Sequence, residues 1–300
     1  MAINLKAELE YEIPAQLGEG AFWNYKTQEL YWIDIESKKV NIYNPNTKLN
    51  RVFETNSRVG TIVPTDKKDV LIALEDGVYN LNINSGECTP FTKMKNELIG
   101  CRLNDGKCDP SGRFWVGSMH FQQEEGKANL YMVNAEGELE NKKERVTISN
   151  GIVWTSDKKT MYYIDTPTSE IKAYDYDDET GNISNERVAV TIPLELGFPD
   201  GMTIDDENML WVGMWNGNAV IRFNPNTGEI LQTIEVPAHN VTSCAFGGEN
   251  LEILYITTAS LDMTDEEQKN YPLSGSVFKV IPGVKGVESS FFKSSSKNEN

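Results

Sequence analysis

One kind of unit recurs six times along this 300-residue chain, and this repeat constrains the fold more than any other feature. Each copy has an aromatic-rich apolar strand pattern, a polar stretch, a second alternating strand pattern and a turn rich in Asn, Asp and Gly. Equivalent hydrophobic positions lie about 40 to 50 residues apart, a spacing typical of propeller blades. They are Leu30, Leu71, Phe114, Met161, Leu210 and Leu254. The sequence therefore predicts an all-β, six-bladed β-propeller.

The repeat also predicts how the chain is divided. Because each blade of a closed ring buries its faces against its neighbours, a propeller needs no linker, and none is apparent before about residue 286. We expect a single propeller domain over residues 1–288. Residues 289–300 are polar and Ser-rich after two aromatics, which predicts a partly disordered C-terminal tail.

The charge balance and the cysteines limit partners and location. Lys and Arg number 28 against 45 Asp and Glu, giving a net charge of -17 that would repel phosphate backbones and anionic lipids. Met1–Pro14 has no signal-peptide pattern, and no apolar run is long enough to span a membrane. Four cysteines without a C-x-x-C pair are typical of reduced thiols. We expect a cytoplasmic monomer or weak dimer that binds neither nucleic acid nor membranes.

Histidine scarcity excludes several kinds of catalysis. Only His120 and His239 occur, so a His-based zinc site is hard to assemble. A Ser-His-Asp triad also has no G-x-S-x-G nucleophile elbow, and neither Walker nor Rossmann glycine patterns are present. Any catalysis must therefore rest on carboxylates, amides and a bound metal.

Four oxygen-bearing side chains recur in one phase of the repeat. Each stands five residues before the residue that ends the innermost strand pattern of its blade, while the other two blades offer Val59 and Thr242. The four are Glu19, Asn104, Asn150 and Asp200. An isolated Asn-Gly or Asp-Gly pair usually marks a turn, but these precede apolar runs each time. We expect the four side chains to converge on the propeller axis.

Converging carboxylates and amides would repel each other or stay unsatisfied without a cation between them. Because every ligand atom would be oxygen, the ion should be hard, with Ca²⁺, Mg²⁺ or Mn²⁺ favoured and Zn²⁺ also possible. Few protein ligands would leave coordination positions open to water and substrate, as in a catalytic site. The pattern alone does not rank which amide binds the metal.

Several long motifs resemble the SMP-30/gluconolactonase/regucalcin family in one collinear order over nearly the whole chain. They are LGEGAFWN at Leu17, RLNDGKCDPSGRFWVGSM at Arg102, ISNGIVWTSDKKTMYYID at Ile148 and FPDGMTIDDENMLWV at Phe198. The resemblance implies a six-bladed propeller that binds one divalent cation at its centre. It also implies a hydrolase that opens a small-molecule sugar lactone to the aldonic acid.

The resemblance implies roles for individual residues. The three metal ligands would be Glu19, Asn150 and Asp200, and Asp200 would also serve as the catalytic base. Substrate hydroxyls would be held by Arg102 and Asn104. Gln122 stands where relatives resembling the animal proteins carry a substrate-binding Glu, so either an amide replaces the carboxylate there or the nearby Glu124 or Glu125 supplies it.

Two alternatives stay open. The propeller could be a calcium-binding or regulatory module without catalysis, since a fold alone does not determine function. It could also be another metal-dependent hydrolase, cleaving organophosphate esters or aromatic lactones. Polar residues at the pocket favour a polyol, whereas Phe121, Met214 and Trp215 could line an apolar mouth.

Overall fold

The structure, a computed structural model, describes residues 3–295, which form 25 β-strands and one short α-helix. Two strands precede the first blade: β1 (Ile3–Lys6) and β2 (Glu8–Tyr11). The first blade contains β3 (Gly18–Asn24), β4 (Glu29–Asp34), β5 (Lys39–Asn44) and β6 (Leu49–Glu54). The second contains β7 (Val59–Pro64), β8 (Val70–Leu74), β9 (Gly77–Leu81) and β10 (Cys88–Lys93).

The remaining blades follow in chain order. The third contains β11 (Cys101–Cys108), β12 (Phe114–His120), β13 (Ala128–Val133) and β14 (Leu139–Val146). The fourth contains β15 (Ser149–Trp154), β16 (Thr160–Asp165), β17 (Glu170–Asp177) and β18 (Asn182–Thr191). The fifth contains β19 (Phe198–Ile204), β20 (Leu210–Trp215), β21 (Ala219–Phe223) and β22 (Ile230–Glu235). The sixth contains β23 (Asn240–Gly247), β24 (Ile253–Ala259) and β25 (Val277–Val280).

The six sheets form a closed ring, which confirms the predicted six-bladed propeller. Each blade is an antiparallel meander whose first strand is innermost, and the innermost strands contact one another in the order β3, β7, β11, β15, β19, β23 and back to β3. The sixth blade is completed by the N-terminal β2, where Leu9 pairs with Phe278 of β25. β1 adds a fifth, parallel strand to the fifth blade through β22. The N-terminal strands therefore extend the fifth blade and complete the sixth, which closes the ring.

The core lies between the blades. Within the described residues, six clusters of buried apolar side chains occur, and each lies mainly between two neighbouring blades. Trp32, Trp115 and Trp211 are fully buried in these interfaces. The inner strands are buried on both faces, as in β3 and β7, where every residue is buried. Each sheet therefore packs apolar and aromatic side chains against both neighbouring blades, which is the main stabilising contribution to such a ring.

Buried aspartates end two of the innermost strands in the same way. Asp109 accepts hydrogen bonds from Arg113 Nε at 2.7 Å and Trp115 Nε1 at 2.9 Å. Asp205 likewise accepts from Trp211 Nε1 at 2.9 Å and Arg222 Nε at 2.7 Å. Each carboxylate accepts hydrogen bonds from both a guanidinium group and an indole N–H. It thereby connects the turn after the innermost strand to the next strands of its blade.

The innermost strands carry β-bulges where the predicted site residues lie. Strand pairing shifts between Glu19 and Phe22, Leu103 and Gly106, Ser149 and Ile152, and Pro199 and Met202. The predicted Asn-Gly and Asp-Gly pairs are thus inside strands and not in turns. A bulge bends its strand and redirects side chains, which turns these residues toward the axis.

Glycine follows two site residues because the innermost strands approach closely there. A Cβ at Gly151 would lie 2.5 Å from the Cβ of Met202, and one at Gly201 would lie 2.6 Å from Ser243 Oγ. Real Cβ atoms do not tolerate such distances, so any larger residue would push neighbouring blades apart. The two glycines therefore fix how near Asn150 and Asp200 stand to the axis.

The first residues of the predicted C-terminal tail lie against the propeller. Phe292 is 1% exposed between the second and third blades, and its N–H donates to Pro64 O at 2.9 Å. Earlier in the segment, Gly286 forms a β-bridge with Asp205 of the fifth blade. The aromatic anchor buries enough apolar area to hold this part of the tail in place. Residues 296–300, the rest of the predicted tail, lie outside the described residues.

One helix, α1 (Asp265–Asn270), interrupts the sixth blade between β24 and β25. Thr264 Oγ1 accepts from the Glu267 N–H, and the Glu267 carboxylate accepts from the Thr264 N–H, which together form a capping box. Within residues 3–295, no helix has the length and apolar character needed to cross a membrane.

Candidate functional site

A cavity of about 470 Å³ opens where the innermost strands begin. Five of the six residues predicted for the site line it, and they come from four different blades. They are Glu19, Arg102, Asn104, Asn150 and Asp200. Each is no more than 7% exposed, and the cavity brings the four side chains of the common phase together with Arg102.

A chain of hydrogen bonds orients the polar side chains of the cavity floor. Arg102 Nη1 donates to Asn104 Oδ1 at 2.6 Å, and Asn104 Nδ2 donates to Asn150 Oδ1 at 2.9 Å. Asn150 Nδ2 then donates to Thr166 Oγ1 at 2.7 Å, and Thr166 Oγ1 donates to Pro199 O at 2.8 Å. The chain links the third, fourth and fifth blades and ends beside Asp200. It fixes the Asn150 amide so that its oxygen lies on the same side as Asn104.

Glu19 and Asp200 form a buried carboxyl pair. Burial and the charge of Asp105 raise the pKa of Glu19 to about 7. Burial, the charge of Glu19 and a hydrogen bond that the protonated Asp200 carboxyl donates to Glu19 raise the pKa of Asp200 well above its usual value. Glu19 Oε2 also accepts from the N–H of Gly20 at 2.9 Å. Two carboxyls in hydrogen-bonding contact away from water are unfavourable when both are ionised, unless a positive charge joins them.

Asp105 and Lys107 add two buried charges that the sequence-based interpretation missed. Asp105 Oδ1 accepts from the N–H of Gly106 at 2.7 Å, whereas its Oδ2 is buried without a partner among the described residues. Lys107 Nζ donates to Met202 O. Residues alternate sides in a regular strand, which would put Asp105 opposite Asn104, but the β11 bulge brings both toward the axis. No signal in the sequence marks this bulge apart from the Asn-Asp-Gly run itself.

The donor set fits a hard divalent cation. Glu19, Asp200 and Asn150 offer carboxylate and amide oxygens, the ligands that Ca²⁺, Mg²⁺ and Mn²⁺ prefer. A cation would also remove the repulsion that raises both carboxyl pKa values. Across residues 3–295, no group of three His, Cys, Asp or Glu side chains has the arrangement of a metal site. Beside the two carboxylates, the cavity offers the amide oxygen of Asn150.

The structure separates the last predicted substrate residue from the cavity. Gln122 is exposed and does not line it, whereas its neighbour Gln123 does. Gln123 has a left-handed backbone (φ 54°) just after β12, and this turn exchanges which of the two amides faces inward. The geometry therefore favours Gln123 over Gln122 for contact with a bound molecule.

The rim of the cavity is apolar on one side. Phe121 is 45% exposed and Phe198 is 38% exposed, and both line the cavity together with Trp215. Met214, considered above for the same mouth, is fully buried between the fourth and fifth blades. The cavity thus combines a polar, charged floor with an aromatic rim.

Comparison with known proteins agrees with this architecture. Residues 17–260 match the family described as SMP-30/Gluconolactonase/LRE-like region. The chain belongs to this family. The match includes all four strands that supply the cavity floor, so the resemblance found in the sequence motifs is confirmed.

Relatives of this SMP-30/gluconolactonase chain cover almost its whole length. A Bacillus subtilis (strain 168) protein, named provisionally as the sugar lactone lactonase YvrE, is 38% identical over 274 residues, covering 91% of this chain and 94% of the relative. Regucalcin of Danio rerio is 36% identical over 287 residues, covering 95% and 97%. Among solved structures, a calcium-binding protein, regucalcin from Agrobacterium tumefaciens, superimposes with a TM-score of 0.91 at 25% identity, covering 97% and 99%.

Proposed function

We propose that this protein is a divalent-metal-dependent hydrolase that opens a sugar lactone to the aldonic acid. The convergence of Glu19, Asn150 and Asp200 beside Arg102 and Asn104 in one cavity carries the proposal. The family supports it, and so does the relative whose name assigns it to sugar lactones. The six-bladed ring is shared with a structure described as calcium-binding, which supports a divalent ion as cofactor.

Glu19, Asn150 and Asp200 would hold the ion, which we expect to be Ca²⁺, Zn²⁺, Mg²⁺ or Mn²⁺. When bound, such an ion polarises an ester carbonyl and stabilises the negative charge that develops on its oxygen. The Asn104–Asn150–Thr166 hydrogen bonds keep the Asn150 amide oxygen in place for this role. Because these side chains come from rigid innermost strands, the site needs little reorganisation to bind.

Asp200 would act as the proton carrier. One carboxylate oxygen takes a proton from the attacking water as the hydroxide bonds to the lactone carbonyl carbon. The ring C–O bond then breaks, and the same proton is returned to the leaving ring oxygen, which becomes a hydroxyl of the aldonic acid. Water is consumed and no other reactant is required. This makes Asp200 the catalytic residue and leaves Glu19 with a binding role only.

Arg102 and Asn104 would orient the sugar ring. Arg102 Nη1 is already bonded to Asn104 Oδ1 and to Leu103 O, so the guanidinium plane is fixed before substrate binds. Its remaining donors suit substrate hydroxyls, and charge-assisted hydrogen bonds of this kind give orientation and affinity. Removal of either residue should therefore raise KM more than it lowers kcat.

Proton release from D-glucono-1,5-lactone, followed in a pH-stat, tests the proposal. The protein as purified should accelerate hydrolysis, dialysis against EDTA should abolish the acceleration, and one of the four divalent ions should restore it. Hydrolysis no faster than in buffer, over a panel of aldonolactones and ions, would reject the lactonase assignment. Tight calcium binding in the same samples would then favour the regulatory module instead.

A second candidate is a hydrolase of less polar lactones or of other esters. The aromatic rim formed by Phe121, Phe198 and Trp215 favours it, because an apolar acyl chain or ring would bury area there. Comparing kcat/KM for gluconolactone with that for an aromatic lactone separates the two. We also propose a cytoplasmic location and a monomer or weak dimer. All four cysteines lie in the described residues without a disulfide, as is usual in a reducing compartment.

A further inference from the structure

The cavity has a charged wall that none of the roles assigned above uses. Glu36 and Arg58 both line the cavity beside Arg102. They come from the loop after β4 in the first blade and from the residue before β7 in the second, while Arg102 belongs to the third. Three neighbouring blades thus contribute one carboxylate and two guanidinium groups there.

Glu36 is held in a fixed position by its neighbours. Arg58 Nε donates to Glu36 Oε1 at 2.8 Å and to Oε2 at 2.9 Å, and Arg58 Nη1 donates to Glu75 Oε1 at 3.1 Å. The loop itself is fixed from below, because Asp34 Oδ1 accepts from the N–H groups of Leu17 at 3.1 Å and Ser37 at 3.2 Å. A carboxylate positioned before a ligand arrives loses little side-chain entropy on binding.

Glu36 and Arg102 line the same cavity and are separated by a gap that no ion pair bridges. Burial lowers the pKa of Arg102, and the charge of Glu36 is the largest electrostatic effect that opposes this shift, yet no ion pair joins the two side chains among the described residues. Arg102 Nε and Nη2 have no hydrogen-bond partner in the described part of the chain, and neither atom is sealed from solvent. One side of the gap offers acceptors and the other offers donors.

This gap matches the chemistry of a polyol. A hydroxyl that donates to Glu36 and accepts from Arg102 would bridge the two groups, and a vicinal diol would engage both at once. After β12, the residue that lines the cavity is Gln123, whose amide is neutral. Glu36 supplies a carboxylate to the cavity from another blade.

We propose that Glu36 is a substrate-binding residue that selects polyhydroxylated lactones. The inference rests on the proposed lactonase function and adds to it the group that accepts hydrogen bonds from the ring hydroxyls. Arg58, whose Nε donates to both Glu36 carboxylate oxygens, positions that carboxylate.

Steady-state kinetics of three proteins on two lactones test this inference, each with saturating divalent ion. The proteins are the wild type, Glu36→Gln and the matched control Glu75→Gln, which also removes one carboxylate from Arg58 but lies outside the cavity. D-Glucono-1,5-lactone carries the hydroxyls and δ-valerolactone lacks them. Glu36→Gln should raise KM for gluconolactone about tenfold, the change expected when a charged hydrogen bond to a hydroxyl is weakened. Its kcat, and both constants for δ-valerolactone, should change less than about twofold, as should all constants of Glu75→Gln.

An equal loss on both lactones, or the same loss in Glu75→Gln, would overturn the role of Glu36. Calorimetric titration with 1,5-anhydro-D-glucitol, a ring with the same hydroxyls and no carbonyl, gives a readout that does not depend on turnover. If the wild type hydrolyses neither lactone, the proposed function fails, and the titration still decides about Glu36. Weaker binding in Glu36→Gln alone supports the inference, while equal binding, or no binding by the wild type, overturns it.

Discussion

Replacing Asp200 with Asn should make the metal-free protein more stable while it destroys the site. Burial and the charge of Asp105 raise the pKa of Glu19 from 4.5 to about 7, which corresponds to about 3 kcal/mol of folding free energy. Asp200, buried against Glu19, has a pKa raised in the same direction. The stability associated with these protons is complete below pH 4.5 and is lost as the pH rises through the folded-state pKa values. The free energy of unfolding of the metal-free wild type should therefore fall between pH 5 and pH 8.

Asp200→Asn keeps the size and shape of the side chain and removes one charge from the pair. At pH 8 in EDTA, we expect its free energy of unfolding to exceed that of the wild type by about 1 to 3 kcal/mol, and the difference to shrink toward pH 5. Urea unfolding followed by tryptophan fluorescence at both pH values measures this, and comparison at equal pH cancels the other titrating groups. The same variant should lose several orders of magnitude in kcat with saturating metal.

Saturating divalent ion gives the matching control. It should stabilise the wild type by mass action and leave Asp200→Asn nearly unchanged, because the variant has lost one of its ligands. A variant that is less stable than the wild type at pH 8 in EDTA would refute the argument. So would a wild-type stability that stays level between pH 5 and pH 8.

Three further predictions concern other parts of the molecule. Asn104→Ala should raise KM for gluconolactone about tenfold with kcat within about threefold, measured by initial rates, and a fall in kcat alone would contradict its orienting role. Asp205→Ala should lower the unfolding free energy by about 2 to 4 kcal/mol, since it removes the buried acceptor of Arg222 Nε and Trp211 Nε1 and leaves Glu207 as the carboxylate partner of Arg222, whereas Ala at the exposed Asp206 should change it by less than about 0.5 kcal/mol in urea melts. Phe292→Ala should lower the free energy of unfolding by about 3 kcal/mol in the same assay. An unchanged urea midpoint would mean that the C-terminal segment is not anchored by this side chain.

The sequence was sufficient for the ring and for most of the cavity floor. Blade period and strand alternation reflect local chemistry repeated six times, so they can be recognised without coordinates. The common phase of Glu19, Asn104, Asn150 and Asp200 survives folding because all four occupy the same place in equivalent innermost strands. The shared position within the repeat therefore predicted that residues up to 181 positions apart, such as Glu19 and Asp200, lie close together.

What the sequence did not predict depends on local exceptions and on long-range contacts. Asp105 reaches the axis only because a bulge breaks the alternation of β11. Thr166 contributes through a short turn after β16, outside the repeated phase. Gln123 replaces Gln122 through one left-handed residue, a difference that counting along a motif does not detect.

The closure of the ring was also beyond local patterns. β2 pairs with β25 across nearly the whole chain, and its four residues carry too little periodicity to reveal a partner. Phe292 looked like part of a polar tail because its burial depends on a groove built by the second and third blades. In the sequence, Glu36 and Arg58 are ordinary charged loop residues. They line the cavity together only because the fold brings three blades side by side.

Calorimetric titration of the EDTA-dialysed protein with Ca²⁺ and Mn²⁺ tests the central claim most directly, with Glu19→Gln and Asn150→Ala titrated beside the wild type. If three side chains from separate blades share one ion, the wild type should bind a single equivalent, and each variant should bind at least about tenfold more weakly. Binding that is unchanged in both variants would contradict a shared site at the propeller axis.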